Sequence, residues 1–133
     1  MKFRYKKIFQ NVLRPVIPIT VSYKNGRPVK YFALIDSGAD RCYMAAEIAP
    51  LLGIPNYQIG RKEDVSGING KSDAYFHKVS ISVGGWPYEV EVGFMEKSSL
   101  TMLGYGVLGH QPFFELFSVK FDFEKEEIEL KEK

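Results

Sequence analysis

One stretch of the chain has the residue types and spacing for chemistry. The apolar run from Tyr31 to Ile35 delivers an acidic residue, Asp36, and small residues follow at once as Ser37-Gly38-Ala39-Asp40. This reads as a buried strand ending in a tight turn with a carboxylate at its mouth. An ionised carboxylate in an apolar setting is costly unless it is hydrogen-bonded or paired. Asp36 therefore needs donors nearby, or a second carboxylate that shares a proton with it. The Ser37 hydroxyl is a candidate donor, and Gly38 lets a backbone approach closely. Asp-Ser-Gly occurs once in the chain, and none of Asp40, Asp64, Asp73 and Asp122 follows an apolar strand into a Ser/Thr-Gly turn. Proton-sharing chemistry would thus need a second copy of the chain to supply the other carboxylate.

Other chemistries find little support. The single cysteine, Cys42, leaves no intrachain disulfide and no thiolate cluster. His77 and His110 lack the spaced partners of a zinc site, so neither a metal nor another cofactor is expected. The formal net charge of +2 carries no basic stripe of the kind that marks a nucleic-acid binder. No apolar run approaches transmembrane length, and polar residues interrupt the N-terminus where a signal peptide would be apolar. A soluble cytoplasmic protein with no membrane or nucleic-acid partner is the expectation.

The elements that position Asp36 follow from patterning. The length of 133 residues fits one domain. Residues 1–15 read as an N-terminal arm or edge strand, and 16–133 as the domain. Val16 to Tyr23 and Val29 to Ile35 form a hairpin around Asn25-Gly26, a strong turn signal. Pro18 assigns the start of the first strand to an edge. Cys42-Tyr43-Met44 is a short strand, and Ala45 to Leu52 a short helix that Gly53 closes and Pro50 threatens to split. Residues 59–95 read as consecutive hairpins turning at 66–71 and at Gly84-Gly85. The first tip, Gly67-Ile68-Asn69-Gly70, carries an apolar residue that could close over a ligand. A second apolar run ends in Val107-Leu108-Gly109-His110. A short helix over Gln111 to Phe117 and a closing hairpin from Ser118 to Leu130 complete the chain.

This order of features resembles the retropepsin-like aspartic proteases, in their single-domain prokaryotic form. The similarity spans residues 16 to 131. It rests on Ala33-Leu34-Ile35-Asp36-Ser37-Gly38-Ala39-Asp40, the glycine-tipped hairpin, and the run from Val107 through Phe117 to Asp122. The resemblance implies a mainly β fold, a closed antiparallel acid-protease barrel with one or two short helices, working as a two-fold homodimer. It implies a peptide-bond hydrolase with Asp36 as the catalytic residue. Ser37, Gly38, Ala39 and Asp40 would form the active-site turn. Gly67, Ile68, Asn69 and Gly70 would form a flap that holds an extended peptide or protein substrate, and Val107, Leu108, Gly109 and His110 a second motif supporting the site. Many relatives have Thr at the position of Ser37. Relatives often carry an Arg, paired with the matching Asp, where this chain has His110 and Asp40. A catalytically inactive peptide-binding or scaffold protein of the same fold, and an unrelated small β-barrel module, are the alternatives that the residues leave open.

Overall fold

The computed structural model describes residues 1–67, 70–96 and 104–133. Twelve strands and two short helices are seen among them. Six strands close into a barrel: β4 (Val16–Ser22), β5 (Val29–Ile35), β10 (Gly106–Leu108), β6 (Tyr43–Ala45), β9 (Trp86–Met95) and β8 (Gly70–Val83), in that order around the sheet. Closure is made where β4 pairs β8, with Thr20 opposite Ser82 and Val21 opposite Ile81. β7 (Arg61–Gly67) pairs β8 and extends the sheet beyond the barrel. Two seams depart from the antiparallel expectation. β5 runs parallel to β10, and β6 runs parallel to β9. These pairings join strands remote in sequence, so no hairpin turn dictates their direction.

The alternation of Val79, Ile81 and Val83 on β8, and of Val90, Val92 and Phe94 on β9, turns one face of each strand inward. These residues pack with Ile17, Ile19, Val21, Ala33, Ile35 and Leu108 as the barrel core. Pro18 lies on the part of β4 that pairs only β5, where its missing N–H leaves no ladder bond unmade on the free side.

Two local readings are refined. Asn25-Gly26 lies in the hairpin connection as expected, within residues 23–28 between β4 and β5, and Gly26 N–H donates to Tyr23 O at 2.9 Å to close the turn. Lys24 takes the left-handed conformation (φ 54°). Gly26 also allows a close approach: a Cβ there would lie 2.9 Å from Tyr23 O and 3.2 Å from Leu52 O. The helical segment after β6 is split, with a 3-10 turn at Ala46–Ile48 and then α1 (Ala49–Leu52), which has Pro50 in its first turn. Gly53 ends α1 at φ 94°, the left-handed C-cap that glycine adopts without strain.

The segment α2 (Phe113–Leu116) is shorter than expected, since Phe117 already begins β11 (Phe117–Asp122). β11 and β12 (Glu127–Glu132) form the closing hairpin. The N-terminal β1 (Lys2–Arg4) adds to β12 as the third strand of that sheet. A small ribbon of β2 (Lys6–Lys7) and β3 (Leu13–Arg14) connects β1 to the barrel. Among the described residues, no helix is long and apolar enough to cross a membrane.

Candidate active site

Asp36 leaves the end of β5 where that strand lies beside β10. Its backbone N–H donates to Leu108 O at 3.0 Å, which extends the parallel seam by one more bond. The chain then turns sharply. Ala39 N–H donates to Asp36 O at 3.2 Å, and Gly38 N–H donates to Asp36 Oδ1 at 2.8 Å. This is an Asx turn, in which a side-chain carboxylate takes the place of a backbone acceptor. The donor that holds the carboxylate is thus the Gly38 amide, with no bond from the Ser37 hydroxyl among the described residues. Gly38 leaves room for it, since a Cβ there would come 3.2 Å from Asp36 Oδ1. Asp36 is half-buried, while Ser37, Gly38 and Asp40 are exposed.

The second motif supports this turn from below. Gly109 lies against it so closely that a Cβ would meet Ala39 O at 2.5 Å and Arg41 O more closely still. His110 N–H donates to Ala39 O and Gln111 N–H to Asp40 O, each at 2.8 Å. The His110 ring does not pair with the Asp40 carboxylate. Its Nε2 lies 2.5 Å from Ser37 O, and the ring stacks on Phe114 with centroids 5.3 Å apart. A short imidazole held on Phe114 reaches the backbone of the turn rather than its side chain.

A cleft of about 860 Å³ opens over the turn. Asp36, Gly38, Ala39, Asp40, Val107 and His110 line it, so residues of both sequence motifs meet there. Its other wall comes from β7, through Glu63, Asp64, Val65 and Ser66. The β7–β8 hairpin brings Gly67 opposite Gly70, so a hairpin forms where the sequence places one. The tip residues Ile68 and Asn69 lie outside the described residues.

Sequence reasoning missed Arg41, Tyr43, Glu63, Val65 and Met95, all of which line the cleft. Arg41 Nε lies 3.0 Å from Glu63 Oε1, joining the segment after the Asp36 turn to β7. Burial pushes the Tyr43 phenol above its ordinary value, with Arg41 acting in the opposite direction. The period-2 spacing of Arg61, Glu63 and Val65 shows that they share one strand face. It does not reveal that Arg41 is what that face meets.

A model of the aspartyl protease family matches residues 17–111, which run from β4 through β10 and include the Asp36 turn. The chain belongs to the aspartyl protease family. No curated protein matches this chain. Among solved structures, it is similar to a retropepsin-like aspartic protease from Rickettsia conorii, at 17% identity and a TM-score of 0.61. That match covers 96% of this chain and 97% of the other. It is also similar to the EIAV protease complexed with the inhibitor HBY-793, at 19% identity and a TM-score of 0.56, covering 82% and 93%. The fold of the chain is therefore the retropepsin-like one.

Proposed function

We propose that the protein is an aspartic endopeptidase whose catalytic pair is Asp36 from each of two copies in a two-fold homodimer. The observation that carries this reading is the Asp36 carboxylate, fixed at a strand end by Gly38 N–H and lining an open cleft. Each chain has one such turn. Two carboxylates brought close together cannot both ionise comfortably, so they hold one proton between them and titrate as a pair. Aspartic proteases are a standing illustration of this behaviour. The ionised member takes a proton from a bound water, and the protonated member donates to the peptide carbonyl oxygen. The water oxygen attacks the carbonyl carbon as these protons move, giving a tetrahedral diol with no covalent enzyme intermediate. The protonated carboxyl then gives its proton to the leaving nitrogen as the C–N bond breaks, and the ionised one takes a proton from a diol hydroxyl, which leaves an acid, an amine and the singly protonated pair.

In this reading Ser37 braces the paired turns across the axis, and Gly38 presents backbone to the substrate. The hairpin tip at Gly67, Ile68, Asn69 and Gly70 closes over an extended peptide, holding it by strand-like hydrogen bonds. Val107 to His110 keep the turn in shape.

The test is cleavage of a mixed peptide library from pH 4 to 8 by the wild type and by Asp36→Asn, read by mass spectrometry, with sedimentation of both. Cleavage by a dimeric wild type that disappears in Asp36→Asn is the expected result. A dimer that binds peptides without cutting them would overturn it in favour of an inactive binding protein of this fold.

A further inference from the structure

The cleft contains a charged group that hydrolysis at Asp36 leaves unused. Glu63 has both oxygens engaged, Oε1 by Arg41 Nε and Oε2 by Arg61 Nη1. Arg61 is engaged through both terminal nitrogens, because its Nη2 lies 3.2 Å from Glu91 Oε1. Arg41 is different. It approaches Glu63 through Nε, and no hydrogen bond from its two terminal nitrogens is seen among the described residues. The side chain is 38% exposed and lines the cleft. A guanidinium held this way keeps two parallel donors free, the geometry that takes a carboxylate bidentately.

The surroundings narrow what can reach it. Tyr43, Val65 and Met95 line the same cleft and pack with Ala74 and Phe76 in an apolar cluster separate from the barrel core. The Arg41 guanidinium lies 5.7 Å from the Phe76 ring centre, at the margin of that cluster. Apolar surface and a cation thus lie side by side here, the cation the more exposed of the two. Glutamate, whose methylenes can lie on apolar surface while its carboxylate reaches a guanidinium, presents both kinds of group. Asp40 and Asp64 also line the cleft, but both are exposed to water, which screens their repulsion.

We infer that Arg41 is a specificity-determining residue that reads an acidic side chain, glutamate above all, in the peptide bound by the cleft. The inference rests on the peptide-hydrolysis reading of the same site. A purely structural role would look different: the Arg41–Glu63 pair would only tie β7 to the segment after the catalytic turn, and its loss would affect every peptide alike.

The experiment compares matched peptides that differ only as Glu or Gln at each position flanking a cleaved bond. For the wild type, kcat/KM is expected to favour Glu at one position by about tenfold, the scale of one charge-assisted hydrogen-bonded contact. Arg41→Ala brings that ratio to one. Arg41→Lys leaves an intermediate ratio, and Arg41→Glu brings it below one, in favour of Gln. A wild-type ratio of one at every position overturns the inference. So does a ratio that survives in Arg41→Ala while both peptides slow equally. A binding arm separates this from the hydrolysis reading: the Asp36→Asn protein is titrated with the same labelled peptides by fluorescence anisotropy. Tighter binding of Glu peptides that is lost in Asp36→Asn/Arg41→Ala upholds the role of Arg41 even where the wild type cuts nothing. Equal binding of Glu and Gln peptides overturns it.

Discussion

The ends of β5 and β10 are near copies of each other and do opposite things. Both strands are short and apolar, and they run parallel with Ala33 beside Gly106, Leu34 beside Val107 and Ile35 beside Leu108. One step further, β5 presents Asp36 while β10 reaches Gly109. The carboxylate is caught by Gly38 N–H in a turn that folds back over β10. Gly109 has no side chain because the carbonyls of Ala39 and Arg41 occupy the space one would need. A carboxylate turn at one strand end thus requires an emptied neighbour at the other, and the two motifs are one structural device.

The comparison is broken most completely by Asp36→Asn. The asparagine Oδ1 still accepts from Gly38 N–H, so the unfolding midpoint should barely move, while cleavage falls by about a thousandfold or more, on the scale of losing a group that acts in the transition state. A residual rate within tenfold of wild type would remove Asp36 from the chemistry. The opposite pattern is expected for Gly109→Ala. Its Cβ would press on backbone carbonyls that cannot move aside alone, destabilising the fold by about 3 kcal/mol in urea unfolding, with activity lost along with the fold.

Cys42 sharpens the comparison from behind. Burial pushes its thiol up to about 11, against the opposing effect of backbone hydrogen bonds at Gly109 and Phe113. A raised acid pKa means that the folded chain keeps a proton that the unfolded chain releases. This contribution to stability is intact below pH 9 and is lost as the pH rises to 11. Over that window Cys42→Ala should lose less stability than the wild type, by no more than about 3 kcal/mol. Parallel slopes for the two proteins would contradict the buried, protonated thiol. The smallest effect belongs to His110→Ala, which removes the ring's contact with Ser37 O and should cost about 1 kcal/mol in unfolding free energy. A larger loss would mean that the ring, as well as the His110 and Gln111 amides, holds the turn.

Much of this was legible from local pattern. The strands of the β8–β9 hairpin alternate residue by residue, and Gly84-Gly85 joins them at positive φ (57° and 90°). Asp36-Ser37-Gly38 announced a turn that would hold a carboxylate, and its best donor proved to be an amide of the same tripeptide. Asn25-Gly26 marked the β4–β5 hairpin, whose turn Gly26 N–H closes on Tyr23 O at 2.9 Å, while the close packing of that glycine against Leu52 O has no local signal. The expected His110–Asp40 pair failed because the Phe114 ring fixes the imidazole, a contact that only the packing of α2 creates.

Sequence by itself determined the elements whose causes lie within a few residues: the period-2 strands, the Asx turn at Asp36, the break at Pro50 and the glycine-bounded β7–β8 hairpin. It also showed that Asp-Ser-Gly occurs once, the ground on which the proposed dyad takes its second carboxylate from another copy. Tertiary structure decided what depends on distant partners. The parallel seams, the closure of β4 on β8 and the addition of β1 to β12 join segments with no turn between them. The meeting of Arg41 with Glu63 is of the same kind. Hydrogen bonding and burial are satisfied equally well by many long-range pairings, and only the packing of the whole barrel selects among them.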